Sequence, residues 1–406
     1  MIVRTARIEI ASSSNRDLTT AMNHLLSIVA IILNLYYSHV SAGSSAQYYT
    51  KAESKRKYGS GYGFGGDARG GEFGETIEVK TKGDLIRALC NTVKNGVCLD
   101  SFPRTILLGE EIDFSLDGGI VTEPGCENDA VKHPECTSIN RHILNRYGSC
   151  SGKPMTQVSY AHAGVSPLLI GSNKTLKGGG TIVGTGILFR GVSNVFVSNI
   201  FIESINPKVA FGGSAFTIES SQQVFIDNCT VERTGIMVET KGRGNTFTVS
   251  NSHYYGDDEY IPSCGDYHFF LWLVDSNNDQ ITFYKNKIYN AYGSGFSTTN
   301  SNSLLLHLIC NAFNNMSMES LTYNQGNAII LAEGNVFKQV LNASMPFKGS
   351  IYLPRLPPDS KRCKTLIDRI CLLNDISAAQ CYGGCRTDDG VLEAFKKIER
   401  TLLAAF

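Results

Sequence analysis

Four groups of residues have types and spacings that could do chemistry. Asp257-Asp258-Glu259 is the one acidic run of three, and a divalent cation such as calcium would need a carboxylate cluster of that kind. By itself such a run reads as a solvated loop. His253 and His268 have no Cys or carboxylate at zinc spacing, so they read as ordinary surface or core histidines. The Gly-rich stretch 58–66 is loosely like a phosphate loop, but no strand leads into it and no helix N-terminus receives it, which excludes a nucleotide site. Twelve cysteines, an even number, fit disulfide pairing in an oxidising compartment. Neither a metal nor a cofactor is expected.

The whole chain has 406 residues, 37 Lys and Arg against 37 Asp and Glu, and 42% hydrophobic residues. That length buries a large core, as one elongated domain or two ordinary ones, and that hydrophobic content excludes disorder. The only strongly apolar run, 25–35, is followed by Val40-Ser41-Ala42, with small residues at the positions a signal peptidase reads. Residues 1–42 therefore read as a signal peptide, and a start at Met22 would shorten its unusually long leading segment. The run falls short of the ~20 apolar residues that cross a bilayer. Secretion is expected, with no membrane contact in the mature form. Without 1–42 the chain keeps 34 basic and 35 acidic groups, a balance that argues against a nucleic-acid partner, because counterion release needs a basic surface. Asn173, Asn228, Asn315 and Asn342 head Asn-x-Ser/Thr triplets and are candidate glycosylation sites.

Any functional side chains must be positioned by the middle of the chain, which is repetitive. Of 29 Asn, 20 lie between Asn173 and Asn342, where short β-branched and aromatic runs each end in Asn and restart. Asn199, Asn228, Asn251, Asn286, Asn311 and Asn335 follow one another at intervals of 29, 23, 35, 25 and 24 residues. Alternating apolar runs of about five residues predict strands. An Asn at one place in each repeat predicts a bend, where the amide bonds the equivalent Asn one turn away. Strands stacked at such a period make a parallel β-helix; the segments between them lack the helical periodicity of a leucine-rich repeat. Ahead of the repeats, a helix is expected over 82–89 and a strand over 105–108. Behind them, Leu392, Phe395, Ile398, Leu402 and Leu403 give 391–405 the spacing of an amphipathic helix, with Asp388 or Asp389 ahead of it, packed on the outside or end of the solenoid. Cys229 and Cys310 sit beside ladder asparagines and read as buried thiols.

Five stretches carry a family resemblance. They are 165–180, which reads Val-Ser-Pro-Leu-Leu-Ile-Gly-Ser-Asn-Lys-Thr-Leu-Lys-Gly-Gly-Gly, then Ile205-Asn206-Pro207-Lys208, Phe211-Gly212-Gly213-Ser214-Ala215, Cys264-Gly265-Asp266-Tyr267-His268, and Leu331-Ala332-Glu333-Gly334-Asn335-Val336-Phe337. With several of these in the family's order and at nearly its spacing, the chain resembles fungal-type pectin lyases from about Gly63 to Cys371. The resemblance implies an all-β, single-stranded, right-handed parallel β-helix. The expected layout is an N-terminal cap and disulfide-rich region over 43–152, the helix core over 153–345, and a C-terminal segment with a disulfide and a short helix over 346–406. It also implies the pairs Cys126–Cys150, Cys136–Cys264 and Cys363–Cys371, the long loop of the second worth ~3–5 kcal/mol in the entropic view. Cys90 with Cys98, and Cys381 with Cys385, would be additional local bridges.

Pectin lyases cut methyl-esterified homogalacturonan by β-elimination. A base removes the C5 proton, the ester carbonyl holds the developing enolate charge, and the C4 oxygen leaves; cations facing the carbonyl stabilise that charge. The family uses an Asp in Trp-Gly-Gly-Asp, an Arg in Arg-Ile-Gly-Arg, and an Arg, usually assigned as the base, with a Lys in Gly-Arg-Ser-Pro-Lys. Carried across, these fall on Ser214, Ile236, Phe296 and Thr299, so all four are replaced. Neither Ile nor Phe can take a proton. Losing a base and an electrostatic group should each cost on the order of 100-fold or more in rate. Lys208, Arg233, Lys241, Arg243 and Glu219 are candidate substitutes, although Arg233, three residues from Ile236, should point to the opposite face of a strand. Phe211 and Phe270 stand where Trp is usual, near the single Trp272, and with Lys208 are the candidate substrate-binding residues. The expectation is a secreted, monomeric protein directed at pectin or a related plant cell-wall polysaccharide, with weakened or absent lyase activity; the alternative is a glycan-binding or decoy β-helix.

Overall fold

The computed structural model describes residues 62–127, 142–256, 270–291, 294–298, 303–319, 323–324, 327–344, 348–377, 379–381 and 385–397. They belong to one unit, Tyr58–Phe406. Each coil of the repeat contributes one strand to each of three parallel sheets, of ten, nine and seven strands among the described residues. Ser214–Glu219 lies in the seven-stranded sheet, Gln222–Asp227 in the ten-stranded sheet and Thr230–Thr234 in the nine-stranded sheet, and the next coil repeats that order. The protein is therefore a parallel β-helix.

Its core follows from the alternation in the runs. In the ten-stranded sheet Leu176, Val197, Ile226, Val249, Phe283, Leu308 and Ala332 stand in one register row and are all fully buried. Every coil thus closes against its neighbours instead of against a separate layer. Trp272 belongs to this interior, stacked on Phe283 with ring centroids 3.8 Å apart.

The expected Asn ladder is two rows. Asn199, Asn228 and Asn251 occupy the exposed corner position, with φ near +50°, followed there by Lys285, Cys310 and Gly334. Asn286, Asn311, Asn335 and Asn374 occupy the next position, which is buried. Each buried amide oxygen of the last three accepts from the backbone N–H and the side-chain amide of the preceding member at 2.9–3.1 Å. Ser252 and Cys229 continue the row: Ser252 N–H donates to Asn286, and Cys229 N–H to the Ser252 hydroxyl. The 35-residue interval from Asn251 to Asn286 thus crosses from one row to the other. A second buried corner row, Ser221, Asn245 and Asp279, is linked in the same manner. Cys229 is buried, whereas Cys310, in the outer row, is only half-buried.

The Gly-rich run and the residues just after it, to Gly71, strap the outer face of the ten-stranded sheet. Phe64, Gly65 and Gly71 N–H donate to the hydroxyls of Thr282, Thr248 and Thr175. A Cβ on Gly65 would lie 2.1 Å from the Val224 carbonyl oxygen, so the backbone can approach this closely only as glycine. At the far end of that face the helix Asp389–Lys396 packs Val391, Leu392 and Phe395 against Phe64, Leu331 and Tyr352. It is shorter than the sequence pattern, whose remainder, 398–405, lies outside the described residues. Nearby, fully buried Glu333 bonds His307 at 2.8 Å and Arg369 at 2.5 and 2.8 Å. Burial alone would raise the Glu333 pKa, but those donors hold it at about 2, while burial pushes His307 down.

The helix Lys82–Leu89, capped by Thr81, and the strand Arg104–Leu108 close the N-terminal end. Disulfides join Cys90–Cys98, Cys126–Cys150, Cys363–Cys371 and Cys381–Cys385. Cys136 and Cys264 lie outside the described residues. Among the described residues no helix is long and apolar enough to cross a membrane.

Candidate functional site

The outer face of the seven-stranded sheet carries a cleft of about 280 Å³. Its floor is built by alternation along parallel strands. Leu188, Thr217, Glu239 and Leu273 form one register row, and Arg190, Glu219, Lys241 and Asp275 the next. Ser214 and Ile236 are register partners on the same strands and also line the cleft. Gly213 delivers Ser214 there: its φ is +142°, and a Cβ would lie 2.2 Å from the Gly164 carbonyl oxygen.

One wall is a four-stranded sheet of Ile120–Glu127, His142–Leu144, Met155–Ala161 and Val209–Ala210. Its small core, Leu144, Val158, Tyr160 and Val209, backs Phe211. The loop after Leu144, tied by Cys126–Cys150, places Tyr147 with its ring centroid 5.8 Å from that of Phe211 in an edge-on contact.

The chemistry converges on Glu239, which is 8% exposed. Its carboxylate accepts from the Ser214 hydroxyl at 3.0 Å and the Tyr147 hydroxyl at 3.0 Å, and pairs with Lys241 Nζ at 3.1 Å. Burial, and then the Glu239 charge, push the Tyr147 phenol above its ordinary range, so it stays a proton donor. The other cations of the cleft are matched too: Arg190 pairs with Glu219 at 2.9 Å, and Arg146 with Glu123.

Of the residues expected from sequence, Ser214, Ile236, Phe211, Lys241 and Glu219 meet in this cleft. Arg233 does not, and the reason is the corner of the coil more than alternation along one strand. Arg233 is the last residue but one of the strand Thr230–Thr234 in the nine-stranded sheet, at φ +48°, where it pairs with Glu203 and Glu232, while Ile236 begins a strand of the seven-stranded sheet. Lys208 is exposed and does not line the cleft, and Arg243 is exposed at the far end of its strand. Phe270 and Phe296 lie on successive strands of the seven-stranded sheet, Phe270 in register with Ser294 and Phe296 with Trp272. Trp272 itself points into the core. Thr299, Asp257–Glu259 and His268 fall outside the described residues. Among those described, no three His, Cys, Asp or Glu side chains form a metal-binding group. Asn228 and Asn315 are exposed, Asn173 is half-buried with its amide donating to the Ser101 carbonyl at 2.9 Å, and Asn342 is buried.

Sequence reasoning missed Glu239, Tyr147, Arg146 and Arg190. Glu239 was within reach, since it shares a strand face with Lys241 two residues on. Tyr147 was not: 92 residues separate it from the carboxylate it binds.

Fold and site together define a three-sheet parallel β-helix with a charged, aromatic-walled cleft on one outer face. No family profile matches the chain. Relatives do: it is 31% identical over 343 residues to pectin lyase A of Emericella nidulans, covering 81% of this chain and 86% of that protein. It is 28% identical to a probable pectin lyase B of Aspergillus niger, covering 89% and 93%. The chain belongs to the pectin lyase family. Among solved structures, a variant pectate lyase of Bacillus subtilis aligns with a TM-score of 0.46 at 15% identity, covering 83% of this chain and 90% of that one.

Proposed function

We propose that the protein is a secreted pectin-binding member of its family that does not cleave pectin at the family's rate. The observation that carries this reading is the state of Glu239. Where the family places an Asp, Ser214 donates to a carboxylate on the next strand, and Tyr147 and Lys241 engage the same carboxylate. The cleft's buried carboxylate and its nearest cation are thus spent on each other. Neither is left to take a C5 proton or to face an ester carbonyl, and Ile236 can do neither. What remains suits binding. Phe211 and Tyr147 offer ring surface to a sugar, and cations matched by carboxylates give a nearly neutral cleft, which favours a methyl-esterified chain over an anionic one. Four disulfides fit an extracellular destination.

The test pairs two measurements on the purified protein. Unsaturated uronide absorbance at about 235 nm, a property of the elimination product, is expected to stay flat with highly methylated pectin, and calorimetry to detect binding of that pectin. Uronide formation at family rates would overturn the reading. A second reading rests on the convergence of Lys241, Glu239 and Tyr147 as a rebuilt acid–base group; it requires a uronide signal that Lys241→Met abolishes.

A further inference from the structure

A second cavity, of about 310 Å³, adjoins the cleft toward the N-terminal end of the β-helix. The two are neighbours along the same sheet. Pro167 lines both, and Leu169 in the second cavity is the register partner of Leu188 in the first. From Glu239 through Thr217 and Leu188 to Leu169 the floor advances three strand spacings, about 14 Å at ~4.8 Å per strand. Only its lining changes. Ile86, Val93, Phe114, Pro167, Leu168 and Leu169 make this end apolar. Asp117, its one carboxylate, is held by Lys82 at 2.5 Å, and Lys82 also lies over the Phe114 ring. Among the described residues His162 also lines the cavity but no Lys or Arg does, and the nearest ammonium, Lys82, is already paired with Asp117, so a free uronate entering it would be desolvated beside a carboxylate whose cation is spent.

We propose that this cavity is an ester-reading subsite of the same groove, taking a small neutral ester on a sugar several units from the one at Glu239. The inference rests on the pectin-binding reading and adds which part of the chain is read and by which residues. Methyl esters on the carboxyl and acetyl esters on the ring hydroxyls share the chemistry. Each buries an apolar methyl with a carbonyl that needs no cation. The helix Lys82–Leu89 supplies Ile86, and the short strand Val93–Lys94, paired with Val97–Cys98 and pinned by Cys90–Cys98, supplies Val93.

The experiment measures affinity by calorimetry for a methyl-esterified trigalacturonate, too short to span from Glu239 into the second cavity, and for three hexamers: methyl-esterified, acetylated and unsubstituted. Val93 and Ile86 are 53% and 47% exposed, so Val93→Asp and Ile86→Glu should fold, which an unchanged Tm checks. Both variants are expected to weaken the methylated or acetylated hexamer at least 5-fold while leaving the trimer within 2-fold; which hexamer suffers identifies the ester. Variants that bind every hexamer as the unmodified protein does would overturn the subsite alone, as would equal losses for trimer and hexamers. If the unmodified protein binds no galacturonan, the pectin-binding reading fails and the subsite with it.

Discussion

The corner row of Asn286, Asn311, Asn335 and Asn374 and the cleft cluster of Tyr147, Ser214, Glu239 and Lys241 are both polar networks on the same β-helix, yet they are built under opposite constraints. The row is one residue type repeated in register, every member buried, each amide serving the next coil. The cluster joins four unlike residues, two of them partly open to water, from two neighbouring strands and a distant loop. Burial makes a polar group intolerant of losing its partner. The row therefore fixes the fold, whereas the outward face can change its chemistry and leave the coils intact. That is how a chain can keep its family's scaffold while the residues facing its cleft change.

The largest effect should come from breaking the row. Asn311→Ala removes the acceptor of the Asn286 N–H and the donor to the Phe283 carbonyl. Two orphaned buried groups at roughly 1–3 kcal/mol each predict a loss of about 3–5 kcal/mol. Urea unfolding would read this as a lower midpoint at unchanged slope. A loss under about 1 kcal/mol would mean that water or a backbone shift replaces the amide, and the contrast with the cleft would collapse.

Glu333→Gln sharpens the contrast with a charged but equally buried network. It leaves Arg369 without its counter-charge, at a cost of about 3 kcal/mol. The pH dependence has a definite sign. Glu333 is held at about 2 against an ordinary 4.5, so its contribution is whole above 4.5 and is lost as pH falls toward 2. His307, held below its ordinary 6.5, likewise makes stability fall as the unfolded chain takes up a proton below that value. A Tm profile from pH 7 to 3 should decline in the parent protein and decline less steeply below about pH 4.5 in Glu333→Gln. Parallel profiles would remove Glu333 from the account.

The same constraint decides what could be read from sequence. The β-helix was legible because burial repeats in every coil and leaves a period, and the helix 82–89 because its cap and apolar spacing are local. The ladder was legible only to one residue, since Asn at either of two adjacent corner positions produces nearly the same period. The Gly run left no hint that it straps a sheet, because its partners Thr248 and Thr282 lie 183 and 218 residues away. In the cleft, Ser214 and Ile236 were locatable through the family motif. Tyr147 was invisible, because nothing in a loop's composition records which carboxylate it will meet.

Tyr147→Phe should produce the smallest effect and is the most direct probe of the cleft side. It removes one hydrogen bond to a carboxylate that keeps two other partners, and the Tyr147 ring is 51% exposed. The expected cost is at most about 1 kcal/mol at neutral pH. The raised phenol pKa adds a signature. The unfolded chain loses the proton near pH 10 while the folded chain retains it, so the Tyr147 contribution is whole below 10 and is lost as pH rises. The parent protein should therefore lose its small advantage over Tyr147→Phe above pH 10. Below about pH 11 the tyrosinate absorbance of the two folded proteins should coincide, because the phenol removed was not ionising. A cost matching that of Asn311→Ala would make the cleft as structural as the corner row. It would also mean that Glu239 is held for the fold's sake, so that a bound sugar could not displace Tyr147 from it.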